Sequence, residues 1–188
     1  MWEIRAARGE DASELGAVAR EIFYDTFGPS NSVSDMEIYC SEEFTPEVLA
    51  GVIADPDTRI LLAMHEGRIV GYAQIRHSEA PACVPGGPAI EMKRFYVLKA
   101  WHGTGLAGEL LNAVNAKARA EGAEWLWLNV WEHNLRAIRF YEKCGFDTVG
   151  ECPYVLGTDI QRDFIMAAPI DDLDRIFNEK IARTRQRS

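Results

Sequence analysis

Two hydrophobic periodicities alternate along this chain of 188 residues. Near the start, Trp2, Ile4 and Ala6 occupy every second position, which is typical of a β-strand with one buried side. Over 11–27 the spacing changes to that of a helix, and the apolar positions on one face are Leu15, Val18, Ile22 and Phe23. A chain that switches repeatedly between these two periods is expected to fold as a sheet covered by helices.

Turn and cap residues divide the first half of the chain. Residues 28–35, "GPSNSVSD", predict a break after the first helix, and Thr45 followed by Pro46 predicts the start of another. The segments "RILLAMH" and "RIVGYAQIRH" predict the two strands of a hairpin, because the Glu66-Gly67 pair between them suits a tight turn. The Pro- and Gly-rich residues 78–88 predict a loop.

The second half continues the alternation. Residues 89–97 predict a strand, and we expect one of its faces to carry Glu91, Lys93, Phe95 and Val97. A helix over 104–121, closed by Gly122, comes next. The remaining elements are a buried strand "EWLWLNVW", a short helix "NLRAIRFYEKCGF" ended by Gly145, and two closing strands "FDTVG" and "RDFIMAA".

This order of elements predicts an α/β (α+β) fold with a mixed sheet in a single domain over 1–170. Residues 171–188 predict a C-terminal amphipathic helix or tail, whose apolar face carries Leu173, Ile176, Phe177 and Ile181. Such a face is expected to dock on the domain or on a second subunit, so a homodimer is one of the expectations.

Composition narrows the classes of partner. With 47% hydrophobic and 26% charged residues, no long apolar run and no leader segment, we expect a cytoplasmic protein without a membrane partner. The net charge of -9 argues against nucleic-acid binding and favours the attraction of small cations. The four cysteines and four histidines form no metal-ligand spacing, so we expect no metal.

The stretch "HGTGLAG" contains the pattern G-x-G-x-x-G at Gly103, Gly105 and Gly108. A dinucleotide-binding turn needs such glycines directly after a strand, whereas here five residues separate Val97 from Gly103. No G-K-[ST] follows, which argues against a mononucleotide P-loop. Side-chain-free N–H groups at a helix start still form an anion site, and a diphosphate would suit it, although a plain helix-entry turn is the simpler alternative.

Two longer segments resemble the GNAT N-acetyltransferase superfamily. "FYVLKAWHGTGLAGELLNAV" is similar to its acyl-CoA-binding motif, and "WLNVWEHNLRAIRFYEKCGF" is similar to its second motif, with an Asn and "FY-x-K-x-GF". The N-terminal segment "YDTFGPSNSVSDMEIYCSEEFTPEVL" further resembles the PaiA-type polyamine/diamine acetyltransferase branch. The resemblance implies a mostly antiparallel, splayed sheet of about seven strands, and acetyl-CoA as co-substrate.

The resemblance also implies which residues bind acetyl-CoA. Its diphosphate would lie on the turn formed by His102, Gly103, Thr104, Gly105, Leu106, Ala107 and Gly108, where His102 replaces the usual Gln or Arg of the family. Its pantetheine arm would lie along Phe95, Tyr96 and Val97 and contact Asn134, which suits a helix N-cap equally well. Lys143 or Arg139 would meet the 3′-phosphate, unless that helix face is only solvated.

Tyr141 and Glu91 are the catalytic candidates that the resemblance suggests. A phenol at Tyr141 would protonate the leaving thiolate, and its alternative role is an aromatic packed beside Phe140 and Phe146. Glu91 would deprotonate the amine, directly or through water; alternatively it binds a cationic substrate or is a surface charge. No cysteine occupies a nucleophile context, so direct transfer in a ternary complex is expected.

The acceptor is expected to be a primary amine, and a small polyamine is favoured. Its candidate contacts are Tyr24, Asp35, Tyr39 and Glu132. The alternatives are a protein N-terminal amine as acceptor, or a non-catalytic acyl-CoA sensor or regulatory protein.

Overall fold

A computed structural model of the protein, which describes residues 2–156 and 158–176, contains one seven-stranded sheet. The strands are β1 (Trp2–Ala6), β2 (Thr58–His65), β3 (Arg68–Arg76), β4 (Ala89–Val97), β5 (Trp125–Trp131), β6 (Asp147–Leu156) and β7 (Asp159–Pro169). The helices are α1 (Ala12–Phe27), α2 (Val33–Glu43), α3 (Pro46–Ala54), α4 (Leu106–Ala120) and α5 (Leu135–Cys144), and residues 170–176 are also helical.

The strand order is β1-β2-β3-β4-β5-β7-β6, and every neighbouring pair is antiparallel except β4 and β5. This arrangement confirms the predicted mixed, mostly antiparallel sheet flanked by helices. The Glu66-Gly67 turn has positive φ at both residues, 49° and 76°, as the twist of a two-residue hairpin requires.

The two faces of the sheet carry separate cores. On one face, α4 and α5 pack over Ala73, Ile75, Ile90 and Met92 through a buried row that includes Leu110. On the other face, α1, α2 and α3 pack over Ile60, Leu62 and Tyr72, and their buried contacts include Leu15, Met36 and Leu49. The sheet therefore separates a face covered by α4 and α5 from a face covered by α1 to α3.

The central parallel pair comes apart soon after it begins. β4 and β5 are paired only from Ala89 opposite Trp125 to Glu91 opposite Trp127. Beyond that point each strand keeps its outer partner, β3 for β4 and β7 for β5, but the two no longer pair with each other. The backbone of β4 from 92 onward is thus left without a strand neighbour on its inner side, and this gap is the splay that the resemblance implied.

A β-bulge in β4 corrects the predicted arrangement of its faces. Gln74 pairs with Arg94 and Ile75 pairs with Met92, so Lys93 is an extra residue without an opposite partner. Ile90 and Met92 are buried under α4 and α5, where Phe95 also packs, so Glu91 between them points to the opposite face. The prediction that Glu91 and Phe95 share a face was wrong, because the inserted residue shifts the alternation by one.

The other differences concern elements with weak patterns. The predicted break at 28–35 is shorter in the structure, where α2 already begins at Val33 with Ser32 as its N-cap. β6 and β7 extend well beyond "FDTVG" and "RDFIMAA", and Pro153 is accommodated because β6 is an edge strand. Leu173 of the predicted C-terminal tail is fully buried in the α4 core, while Phe177 and Ile181 lie outside the described residues.

Candidate active site

A cleft of about 420 Å³ passes through the sheet at the splay. One end is formed by the start of α4 and by α5, and the other end is formed by α1, α2, β6 and β7 on the opposite face. β4 and β5 form its side walls. The cleft therefore connects the glycine turn to the face on which Glu91 points.

The glycine turn has the geometry of an anion site. Gly103 and Gly105 have φ angles of 78° and 96°, which L side chains rarely adopt, and Gly105 is the N-cap of α4 without a side-chain cap. A Cβ atom built at Gly103, Gly105 or Gly108 meets nothing within 4 Å. Leu106 N donates to Thr104 Oγ1 at 3.4 Å, while the N–H groups of the first turn of α4 have no carbonyl partner within the helix. A helix start with open space at its glycines is suited to bind a phosphate.

His102 and Arg136 stand together beside this turn. His102 Nε2 donates to the carbonyl of Val97 at 2.9 Å, which leaves Nδ1 to accept from the guanidinium of Arg136. Both residues line the cleft, together with Gly103 and Ala107, whereas Leu106 is buried in the core and contributes only backbone. Arg136 is absent from the predicted site. It lies inside the second motif, but it is not one of the residues by which that motif is defined.

Two residues at α5 line the middle of the cleft, its N-cap Asn134 and Tyr141. Asn134 caps α5, since its side-chain oxygen accepts from Ala137 N at 3.2 Å, and it lines the cleft as well. The Tyr141 ring is 7% exposed and packs against Phe95 at 6.2 Å between centroids. Burial, followed by the nearby Cys144, raises the pKa of Tyr141, so its phenol stays protonated at neutral pH. Lys143 does not line the cleft.

Glu91 lies at the point where β4 and β5 separate. Its Oε2 accepts from Arg76 Nε at 2.5 Å and from Ser78 Oγ at 2.8 Å, and its side chain is 7% exposed. Both Glu91 and Arg76 line the cleft. One carboxylate oxygen is therefore held by two donors, and the ion pair fixes the side chain.

A second ion pair lies deeper on the same face. Arg94 is buried, with its guanidinium bonded to Glu43 and to Gln74 Oε1 at 3.0 Å and stacked 4.9 Å from the Phe44 ring. Lys93 also lies near Glu43, at 3.7 Å. Although burial opposes ionisation of Glu43, the charges of Arg94 and Lys93 lower its pKa.

Asp163 of β7 is the remaining acid of the cleft. It is 5% exposed, and its Oδ1 has no hydrogen-bond partner among the described residues. Burial, with a smaller effect of the Glu132 carboxylate, raises the pKa of Asp163 to about 6. Sequence analysis missed this residue, although a charge that alternates with Ile165 and Ala167 on a buried strand face was a signal for it.

The predicted acceptor contacts are only partly brought together. Tyr39 lines the cleft, whereas Tyr24, Asp35 and Glu132 do not. The Asp35 carboxylate accepts from the Thr158 backbone N at 2.8 Å and from Ser32 Oγ at 2.5 Å, so it fastens α2 to the β6–β7 turn. Glu132 accepts from Arg162 Nη2 at 2.6 Å, and this contact lowers the pKa of Glu132.

Two further properties concern the described part of the chain. No three side chains among His, Cys, Asp and Glu come together there as a set of metal ligands. No helix within those residues is long and apolar enough to span a bilayer.

Comparison with known proteins assigns the chain to a protein family. The sequence model of the acetyltransferase (GNAT) family matches residues 18–146. The chain is 33% identical over 157 residues to an uncharacterized N-acetyltransferase in the pepI 3′ region of Lactobacillus delbrueckii subsp. lactis, covering 84% of this chain and 91% of that protein. It is 35% identical over 156 residues to an N-acetyltransferase of Mycobacterium tuberculosis (strain ATCC 25618 / H37Rv), covering 83% and 96%.

A solved structure shares the fold. The crystal structure of the PaiA N-acetyltransferase from Thermoplasma acidophilum in complex with coenzyme A superposes with a TM-score of 0.73 at 23% identity, over 90% of this chain and 99% of that one. Fold, site and relatives together define an acyltransferase. More particularly, the chain belongs to the acetyltransferase (GNAT) family and is an N-acetyltransferase that uses acetyl-CoA as its co-substrate.

Proposed function

We propose that this enzyme acetylates a primary amine of a small, cationic, polyamine-like acceptor by direct transfer in a ternary complex. The observation that carries the proposal is the cleft through the splay, which joins the glycine turn on one face to a chamber on the other. This chamber holds the carboxylates of Glu91 and Asp163 and is lined by the aromatic residues Phe27, Tyr39, Trp131 and Tyr154. Such a passage lets two substrates enter from opposite faces and meet at β4. The similarity of the N-terminal segment to the PaiA-type branch supports the choice of acceptor.

The residues at the glycine turn would bind the acetyl-CoA diphosphate. Backbone N–H groups of 103–108 would donate to it, and Arg136, held by His102, would add a positive charge beside it. The unpaired inner edge of β4 at Phe95, Tyr96 and Val97 would hold the pantetheine arm as an additional strand, with Asn134 opposite. Lys143 does not line the cleft, so it would bind the 3′-phosphate only if that group lies outside the cleft.

Transfer removes two protons from the ammonium nitrogen, one before attack and one as the amide forms, and it delivers one proton to sulfur. Glu91 would take the first proton through a water molecule at Oε1, because Oε2 is already bound by Arg76 and Ser78. The amine nitrogen then attacks the thioester carbonyl, the C–N bond forms and the C–S bond breaks. Tyr141 would donate its phenolic proton to the departing thiolate, which is the role that its protonated state permits. The second proton that the nitrogen loses as the amide forms would restore the phenol, and the proton held at Glu91 would pass to solvent.

The test is thiol release from acetyl-CoA in the presence of a panel of amines. The panel contains linear diamines and polyamines, linear monoamines and short peptides with a free N-terminus. We expect release above the hydrolysis background with the small amines, and preferentially with the polyamines. Release only with peptides would instead support the protein N-terminal acceptor, and binding of CoA without release from any amine would support a sensor. Either result would contradict the proposal.

A further inference from the structure

The carboxylate of Asp163 is buried, and no described residue forms an ion pair with it. Asp163 lies in β7 opposite Trp131 of β5 and opposite Cys152 of β6, and it lines the chamber end of the cleft. It is 5% exposed, and its Oδ1 has no hydrogen-bond partner among the described residues. A buried acid in this condition is costly unless a ligand supplies the missing donors.

The neighbouring acids of this region are already paired. Glu91 is bound to Arg76, Glu43 to both Arg94 and Lys93, and Glu132 to Arg162. Because those cations are engaged, the protein itself brings none of them to Asp163. The chamber therefore offers one acidic group to an incoming positive charge.

The walls around this acid are aromatic. Trp131 is its cross-strand neighbour, and its ring is tilted against that of Phe27 with 6.0 Å between centroids, while the ring of Tyr154 in β6 lies 6.4 Å from that of Tyr39. Trp131, Phe27, Tyr154 and Tyr39 all line the cleft. A carboxylate among aromatic faces is a favourable environment for an organic ammonium, since the rings attract the cation while excluding water.

Asp163 lies too far from β4 to touch the reacting nitrogen. β7 is separated from β4 by β5, so two inter-strand steps, roughly 10 Å in all, lie between them even before the splay is added. We propose that Asp163 binds the second, distal ammonium of the acceptor and thereby selects diamines over monoamines. This inference rests on the proposed function, because it assumes that the first amino group is acetylated at β4.

A comparison of two acceptors tests the role. Thiol release is measured with a linear α,ω-diamine and with the monoamine of the same length, for wild type, Asp163→Asn and the control Glu151→Gln. Glu151 is an exposed acid of β6 that does not line the cleft. Its replacement by Gln changes the net charge by the same amount as Asp163→Asn but leaves the cleft intact. We expect kcat/KM for the diamine to fall about 10- to 100-fold in Asp163→Asn, as for loss of a charged hydrogen bond, with little change for the monoamine or in the control.

The monoamine also reports whether the variant is folded. An equal fall for both acceptors, with CoA binding retained, would overturn the proposal, because the carboxylate would then serve catalysis or structure rather than selection. Unchanged diamine activity would overturn it as well. If wild type releases no thiol from acetyl-CoA with any amine, the proposed function itself is contradicted, and the inference that rests on it fails as well.

The wild-type enzyme provides a second test that does not depend on folding of a variant. The titratable groups around Asp163 are Glu132, which directly follows β5, and Cys152 and Tyr154 on β6. The ratio of kcat/KM for diamine to that for monoamine cancels any proton removal common to both. We expect this ratio to fall as the pH drops through about 6, where the carboxylate becomes neutral. A ratio that stays constant between about pH 5 and about pH 8 would contradict the assignment.

Discussion

Tyr141 of α5 belongs both to the hydrophobic core and to the lining of the cleft. Tyr141 is buried among Phe95, Phe140 and Phe146, with ring centroids 5.4 to 6.2 Å away, and it still lines the cleft. Its packing and its proposed proton transfer are therefore compatible, since the ring is fixed by neighbours and the phenol lies at the passage. The two alternatives that the sequence leaves open for this residue do not exclude each other.

Removal of the Tyr141 hydroxyl is expected to separate these two contributions. Tyr141→Phe keeps the ring packing but has no proton for the thiolate, so kcat should fall about 100-fold while KM for acetyl-CoA changes little. Steady-state kinetics of thiol release measures this. The matched control is Tyr72→Phe, which removes another buried phenol that has no hydrogen-bond partner in the described structure and lies outside the cleft. Retention of kcat in Tyr141→Phe would exclude the phenol as donor.

A second residue-scale prediction concerns stability. Asp11 accepts from Arg5 at 2.7 and 2.8 Å and from Arg8 N at 2.7 Å, and the hydrogen bonds from Arg5 are the main reason why its pKa is lowered. Asp11→Asn should reduce the free energy of unfolding by about 2 kcal/mol at neutral pH. Because the folded pKa lies below the unfolded value, this stabilisation is present above about pH 4 and is lost as the pH falls through the folded pKa.

Urea unfolding of Asp11→Asn and wild type at several pH values measures the effect. The difference should be largest near neutrality and should shrink at acid pH. Glu10→Gln is the control, since Glu10 forms only an exposed ion pair with Arg8 at 3.6 Å and should change stability by less than about 1 kcal/mol. A difference between Asp11→Asn and wild type that does not depend on pH would contradict the assignment.

The residues that sequence analysis missed share a physical reason. Arg136 and Asp163 enter the cleft because distant elements meet there: α5 with the glycine turn in one case, β7 with β5 and β6 in the other. Motif spacing reports local chain geometry, so it predicted the turn at Gly103 and Gly105 but not the groups brought to it by the sheet. Asp35 was predicted to contact the acceptor and does not line the cleft. Its sequence neighbours gave no sign that Thr158, far along the chain, would bind its carboxylate.

At the scale of elements, prediction was most accurate where periodicity and caps agree. The start of α3 at Pro46, the hairpin at Glu66-Gly67 and the end of α5 at Gly145 all follow the predicted signals. α2 was missed because only Met36 and Cys40 of its residues are buried, which leaves almost no apolar stripe. The bulge at Lys93 was missed because a single inserted residue has no compositional signal.

Gly108 in α4 allows stability and co-substrate binding to be separated. An alanine there meets nothing within 4 Å and has helical backbone, so Gly108→Ala should raise the free energy of unfolding by about 0.5–1 kcal/mol. The same methyl group would project into the space proposed for the diphosphate, so KM for acetyl-CoA should rise. Thermal unfolding and steady-state kinetics measure the two effects.

Gly51 of α3 provides the matched control for this variant. It also lies inside a helix and has nothing within 4 Å of a built Cβ, but α3 covers the face of the sheet opposite to α4 and is remote from the glycine turn. Gly51→Ala should therefore give a similar gain in stability with no change in KM for acetyl-CoA. Equal kinetics for both variants would show that the diphosphate does not lie against the first turn of α4.

At the scale of the whole molecule, the sheet separates two helix-covered faces, and the cleft connects them. The α4 and α5 face holds the glycine turn, the α1 to α3 face holds the aromatic chamber, and the splay between β4 and β5 joins them. A ligand that fills the passage contacts both halves of the sheet at once. Its binding should therefore stabilise the fold as a unit.

Ligand-induced stabilisation distinguishes the two interpretations of G-x-G-x-x-G. At a CoA concentration about 100 times its dissociation constant, the free energy of unfolding should rise by about 2.7 kcal/mol. For a chain of this size the melting temperature should then increase by about 5–10 °C. NAD at the same concentration should give no shift. A shift with NAD and none with CoA would restore the dinucleotide interpretation.

The short pairing of β4 with β5 has a further consequence, for aggregation. Exposed strand edges are sites where sheets of different molecules join, and soluble proteins usually protect them with charges, prolines or bulges. Here the unpaired edge of β4 lies inside a sheet, in a wedge that closes at Glu91 and Trp127 and is covered by helices on both faces. A narrow, extended ligand can enter this wedge, whereas the edge strand of another protein molecule cannot. The enzyme therefore keeps unpaired backbone hydrogen-bonding groups for a ligand without offering them to other protein molecules.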